Sequence, residues 1–355
     1  MGICERWLTG LGFCGVLVVL GEAPAGAQVE EGSPSLPSGL YFAPWSPRAT
    51  SWMLTVAPEI GVQTGSETYE FHADVPNSLS LDVNVESKLS YPVSGALGGG
   101  TVFFGLDALG FSGTFLTNIG DPWGTLLDQD FVSASDGAHS ETVEFSHTNS
   151  PTTLRTFDVE GAVRYRIGKP GIGKTTALHV VAGFRFESST YDAYGASGWQ
   201  LDSNDDKVYS SIPGSPHALH YEVRYRQPFI GVGLNLGKSD AFLFSGEARL
   251  IASWSSHEDD HVLRNKLAHA DAFGGGAGIK LQPAFGLGGF PGLHFLAGLD
   301  AQLQVVGSFN GTLQQRYYAD DPTLDGDQTN ERIPDSDFSF LSVRLRLLAF
   351  LAARF

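Results

Sequence analysis

Apolar residues recur at every second position along much of this chain. In the last segment Leu341, Val343, Leu345, Leu347, Ala349, Leu351, Ala353 and Phe355 share one parity, while Ser342, Arg344, Arg346 and Arg354 take the other. Successive side chains of a strand point to opposite faces, so this pattern predicts a strand with one face toward lipid and one toward a wet lumen. Leu81, Val83 and Val85 alternate with Asp82, Asn84 and Glu86 in the same way. So do Phe157, Val159, Val163, Tyr165 and Ile167 against Asp158, Glu160, Arg164 and Arg166, and Leu219, Tyr221, Val223 and Tyr225 against His220, Glu222, Arg224 and Arg226. No long stretch places apolar residues at i, i+3, i+4 and i+7, so strand period dominates. The elements predicted are about ten strands in an all-β, antiparallel transmembrane barrel, an even number as single-chain outer-membrane barrels require. Joins near 91–99, 168–175, 237–240 and 284–292 read as short periplasmic turns. The polar stretches 118–156, 195–216, 257–266 and 316–337 read as long outer loops. Trp123 and Trp254, near strand ends, suit an interfacial aromatic girdle.

A soluble sandwich also alternates, but its polar faces would not carry so many charges per strand. The N-terminus favours the barrel. Arg6, an apolar run from Leu8 to Leu20 and the small residues Ala25-Gly26-Ala27 read as a secretory leader over residues 1–27. Residues 28–52 then form an N-terminal extension and 53–355 the barrel. No later stretch reaches the roughly 18 to 20 apolar residues of a spanning helix. Both cysteines, Cys4 and Cys14, lie in the leader, which removes disulfide and thiolate chemistry from the mature chain. With 22 basic against 39 acidic residues the formal charge is −17, which repels nucleic acid and attracts cationic ligands or peptides.

Three motifs are decoys. Gly168-Lys169-Pro170-Gly171-Ile172-Gly173-Lys174-Thr175 matches a phosphate-binding loop in letters. Such a loop must lead into a helix, and 177–191 reads as a strand. Asp321, Asp325, Gly326 and Asp327 suggest a calcium loop, but the closing position holds Arg332 where a Glu is required. Asn310-Gly311-Thr312 is a sequon with little meaning in a bacterial envelope.

Two clusters carry possible chemistry, each where a strand meets an outer loop. Asp128 and Asp130, at i and i+2, project from one face of an extended chain. In His257-Glu258-Asp259-Asp260-His261 the parity of the preceding strand points His257, Asp259 and His261 to the lumen. There Phe242, Phe244, Ala248, Leu250, Ala252 and Trp254 face lipid, and Ser245, Glu247, Arg249 and Ser253 face inward. An Asp two residues before a His can orient the imidazole and stabilise its protonated form, making it a general base near neutral pH. Without Cys or a serine motif, water is the natural nucleophile. On spacing alone a solvated loop explains the Asp pair as well. His257 and His261 also offer metal ligands, but the metalloprotease pattern of two His four residues apart requires them on a helix, and this segment does not read as helical. No metal site and no cofactor are assigned.

Taken together, these residues resemble the omptins, outer-membrane proteases of aspartyl type. The clearest similarity runs from His217-Ala218-Leu219-His220-Tyr221-Glu222-Val223-Arg224 through Gln227-Pro228-Phe229-Ile230-Gly231 and Ser253-Trp254-Ser255-Ser256 into Asp259-Asp260-His261. Asp128-Gln129-Asp130-Phe131, Ser146-His147-Thr148, Phe157-Asp158-Val159 and Ala182-Gly183-Phe184 extend it. The resemblance implies a ten-stranded barrel in the bacterial outer membrane, with an acidic groove facing the exterior. It makes Asp259 and His261 the catalytic dyad and Asp128 and Asp130 the opposing pair that holds the attacking water. Peptide or protein substrates cut beside basic residues, and a requirement for lipopolysaccharide, follow from the same resemblance. Arg224 stands where the family contacts lipopolysaccharide phosphate, whereas Ser188 replaces another lipid-binding arginine. His257 replaces an acidic residue of the substrate pocket, leaving Glu258 and Glu70 as the candidate pocket carboxylates. A noncatalytic barrel, adhesin or small pore, is the alternative.

Overall fold

The computed structural model describes residues 52–75, 82–106, 108–135, 140–167, 176–239, 242–290, 293–320 and 332–355. The stretches expected to be a leader and most of an N-terminal extension lie outside them, as do 168–175 and the acidic stretch 321–331. The described chain is almost entirely strand: β1 Trp52–Val75, β2 Asp82–Pro92, β3 Gly95–Leu106, β4 Leu109–Ile119, β5 Thr125–Ser135 and β6 Ser140–Ile167. There follow β7 Thr176–Leu201, β8 Lys207–Ser239, β9 Phe242–His261, β10 Lys266–Phe290, β11 Leu293–Tyr317 and β12 Arg332–Arg354. A single 3₁₀ turn, Val262–Arg264, joins β9 to β10, with Asn265 in the left-handed region.

Every pairing is antiparallel, and β1 pairs with β12, so β12, β11, β10, β9, β8, β7, β6, β4, β3 and β1 close a ring of ten. The remaining two strands are continuations. β2 extends β3 along β1, and β5 extends β4 along β6, so each of these two ring strands is one strand with a break. The expected ten-stranded antiparallel barrel is what the chain forms.

The first break falls at Val93-Ser94, where a turn was expected. The chain reverses instead between Leu106 and Leu109. Ser94 Oγ accepts from the Gly65 amide at 3.3 Å as β1 exchanges one partner for the other. Gly65 has φ +147° and a Cβ there would lie 1.9 Å from the Val343 carbonyl oxygen, so only glycine fits. The stretch 118–156, expected as a loop, is mostly the second break with β5 and the upper part of β6. The decoy at 168–175 is followed directly by β7, with no helix for a phosphate to cap.

Strand parity holds between the bulges, but polarity inverts along the barrel. On β8 the outward residues Ile230, Val232 and Leu236 are apolar and exposed, and Gln227 and Asn235 are buried inside. Further up the same strand Leu219, Tyr221, Val223 and Tyr225 are the buried ones, while Arg224 and Arg226 face out. The sequence pattern alone had placed these four apolar residues on the lipid side. Above the apolar band the exterior is water and the interior is a protein core, so the same alternation is read with opposite sign.

Within the band the lumen is filled by an ion lattice. Arg164 Nε donates to Glu247 at 2.6 Å, and Arg249 bridges Glu247 at 2.7 Å and Glu160 at 2.9 Å. Arg185 joins Asp158 at 2.8 Å and Glu187 at 2.5 Å, and Arg344 joins Glu67 at 2.6 Å. Above this lattice lies an apolar layer of Tyr69, Leu89, Tyr91, Leu126, Tyr191, Tyr221, Tyr225, Phe338 and Phe340, all buried. It forms the floor on which the mouth is built.

Candidate functional site

Asp128 and Asp130 share the parity of Leu126, whose side chain is packed in the apolar layer, so both point into the mouth above it. Backbone pairing sets them opposite Leu89 and Ser87 of β2, the latter also buried. The dyad stands on β9, where Asp259 shares parity with buried His257 and Ser255. Three strands, β8, β7 and β6, separate β9 from β5 on one side of the ring, and β10, β11, β12, β1 and β2 do so on the other. The two acidic elements therefore rise from facing walls.

His261 Nε2 lies 3.2 Å from Asp259 Oδ2, as an Asp-His dyad requires, and the Tyr69 hydroxyl donates to the same oxygen. With Nε2 turned to the carboxylate, Nδ1 is the ring nitrogen left to accept a proton. Asp259 Oδ1 and Asp128 Oδ1 are both buried acceptors that no protein group satisfies.

Burial, and next the neighbouring Asp130 carboxylate, push the Asp128 carboxyl up to about 6. His261, Arg264 and Lys266 act in the opposite direction. Asp128 and His261 are thus within electrostatic reach of each other across the mouth. Lys266 pairs in register with His261 at the start of β10. Burial and Arg264 lower the Lys266 ammonium, and Asp259, Asp130 and Asp128 raise it. The four residues expected to act together thus lie above the aromatic layer, Asp128 and Asp130 on β5 and Asp259 and His261 on β9. Two cations, Arg264 of the 3₁₀ turn and Lys266 of β10, stand beside the dyad.

Substrate-pocket expectations fare differently. Glu70 is one residue out of phase: Tyr69 takes the inward place, and Glu70 forms an ion pair with Lys88 at 2.8 Å on the other face of β1. Glu258 is exposed on the outer face of β9, opposite in parity to Asp259. Neither carboxylate lines the mouth. His257 does point inward, but into the floor. Tyr221 Oη lies 2.6 Å from its Nδ1, Ser255 Oγ 2.9 Å from its Nε2, and the Phe338 ring 4.7 Å away. Burial, with a smaller contribution from His269, holds its pKa down near 3, so it is a neutral member of an aromatic layer. The nearest acid below, Glu67, is already paired with Arg344. Arg224 stands on the outer wall, half exposed and 2.7 Å from Glu222.

Tyr69, Arg264 and Lys266 were not singled out from sequence. Continuing the inward parity of buried Glu59, Gln63 and Glu67 along β1 would have found Tyr69. The two cations sit at a turn, where alternation carries no signal.

Among solved structures, the outer membrane protease OmpT from Escherichia coli matches with a TM-score of 0.65, covering 85% of this chain and 97% of that one. The fold is omptin-like. Sequence identity over this match is 14%, and no family model and no curated protein matches the chain. The shared omptin-like barrel ties the resemblance carried by short motifs to a complete architecture.

Proposed function

We propose that the chain is an outer-membrane endopeptidase whose water nucleophile is activated between His261 and the Asp128–Asp130 pair. One observation carries the reading: the half-buried Asp128 of β5, its Oδ1 without a protein partner, shares the upper end of the barrel with an Asp259–His261 dyad whose imidazole is among the groups acting on its carboxyl. In this mechanism His261 takes a proton from water while the oxygen attacks the peptide carbonyl carbon. The proton then passes to the departing amine. Asp259, fixed by Tyr69, holds the imidazole in place. Asp128 and Asp130 accept from the water, and Lys266 and Arg264 face the charge that develops on the carbonyl oxygen.

The apolar outer band supports placement in the bacterial outer membrane, with the mouth toward the exterior. Outward Arg224 and Arg226, just above that band, suit lipid A phosphates, and lipopolysaccharide is proposed as a partner for activity on that ground. The ion lattice fills the lumen and weighs against a pore.

A preference for basic residues lacks its carboxylates, because Glu70 and Glu258 turn away and His257 is neutral. The floor of Tyr69, Tyr221, His257 and Phe338 instead favours an uncharged side chain beside the cut bond. Protein refolded with lipopolysaccharide should cleave a fluorogenic peptide library chiefly beside uncharged residues. His261→Ala should lower the rate by about 10² to 10⁴, the usual share of a general base. Equal cleavage by wild type and His261→Ala would overturn the mechanism, and cleavage confined to Arg or Lys would overturn the pocket reading alone.

A further inference from the structure

On the reverse face of the wall that carries the dyad, Asp192 of β7 meets two histidines of β8. His220 Nδ1 lies 2.7 Å from Asp192 Oδ1, and His217 Nε2 lies 3.2 Å from the same oxygen. The three ligand atoms fall within 4.8 Å of one another. Alternation along β8 would not bring this about, since His217 shares the parity of inward Leu219. Register shifts on either side of Tyr194 pair it with His217, and this bulge turns the imidazole to the outer face beside His220. The His217 ring rests on Tyr194, with centroids 5.3 Å apart, which limits its rotation.

We propose that Asp192, His217 and His220 form a binding site for a borderline divalent cation of the zinc type. Two imidazoles and one carboxylate are the donor set such ions favour, at about 2.0 to 2.2 Å from the metal. Ligand atoms round such a tetrahedral ion stand about 3.3 Å apart; the His217–Asp192 spacing of 3.2 Å is already close to that value, and the 2.7 Å His220–Asp192 hydrogen bond would open by roughly half an ångström as the ion replaced its proton. His217 Nε2 is buried and makes no hydrogen bond, although it faces the carboxylate. A buried ring nitrogen that stands beside a carboxylate without a hydrogen bond to it needs a reason, and a metal between them supplies it. Asp260, opposite His220 in register on β9, adds negative charge to the same wall. The cation would displace the proton shared by His220 and Asp192 and leave a position open to water. It would tie β7 to β8 directly behind Tyr191 and Tyr221 of the floor.

Glu70, His72 and Glu86 form a second cluster, but Lys88 already holds Glu70 and His72 stands 3.9 Å from Glu86, so it serves as a control. Co²⁺ titrated into metal-free, refolded full-length protein should give the visible absorption of a tetrahedral ion, saturating at one equivalent and displaced by Zn²⁺. His217→Ala, His220→Ala and Asp192→Asn should each weaken binding at least tenfold while their strand circular dichroism stays that of wild type. His72→Ala and His261→Ala should bind as wild type does. Absence of the absorption in wild type, its survival in all three site variants, or its loss in His72→Ala or His261→Ala would overturn the assignment.

Discussion

The lower and upper halves of this barrel use the same strands and the same alternation to make opposite interiors. Below, the inside is charged and the outside apolar: Arg164, Glu247 and Arg249 are buried while Ile230 and Leu250 are about two-thirds exposed. Above, the inside is a layer of tyrosines and phenylalanines, and the outside carries His220, Glu222, Arg224 and Glu258. The charged lattice is held by mutual compensation, so every member depends on the others. The aromatic layer is held by packing, which tolerates the loss of single polar atoms. The site sits at the upper boundary of the second regime, where carboxylates can be buried without full pairing.

This contrast can be broken most severely in the lattice. Glu247→Leu leaves Arg164 and Arg249 short of a buried counter-charge, and a loss of roughly 3 to 5 kcal/mol is expected on denaturant titration of the folded barrel. In the aromatic layer, Tyr221→Ala should cost a comparable 3 to 5 kcal/mol or so through the cavity it leaves. Tyr91→Phe should change stability by less than about 1 kcal/mol, because its buried hydroxyl has no partner to lose. If Tyr91→Phe proved as damaging as Glu247→Leu, the two halves would not differ in the way described.

Asp128 lies between these regimes. Its carboxyl titrates near 6 in the folded protein against an ordinary value of 3.8, so the folded state binds the proton more tightly. Stability attributable to this group is therefore greatest at low pH and declines as pH rises from the ordinary value through 6. Asp128→Asn should be more stable than wild type at neutral pH, by roughly 1 to 3 kcal/mol at most, with the advantage vanishing below the ordinary carboxylate range. A constant advantage at all pH values would show that the buried charge is not its source. The smallest effect concerns activity: Asp130→Asn removes the like charge that raises Asp128, and the acid limb of kcat/KM should move to lower pH. An unmoved limb would assign it to another group.

Much of the barrel was legible because period-two alternation survives any change of environment. The last strand, from Leu341 to Phe355, reads correctly from pattern alone, as does the parity that turns Asp259 inward from the Phe242–Trp254 series. The sign of that pattern was not legible. Tyr221 and Val223 look like lipid-facing residues until the height of β8 is known. The breaks were hidden for a related reason: Asp128 to Ser135 mixes polar and apolar residues on both parities and so looks like a loop, yet it pairs on both sides. Glu70 failed by a single residue, the smallest error that moves a side chain to the other face of a strand. Asp192 was invisible as a partner of His217 because a bulge, which shifts parity, leaves no mark in hydrophobic spacing.

The seam between β1 and β12 joins Thr55 to Arg354 and His72 to Asp337. Residues almost a whole chain length apart must therefore find each other before the sheet has no free edge. Until that happens, two long rows of unpaired amides and carbonyls remain open to pairing with any other chain. Such distant contacts also make the final step slow. Whatever guides this protein into place must shield an open sheet until its two ends meet.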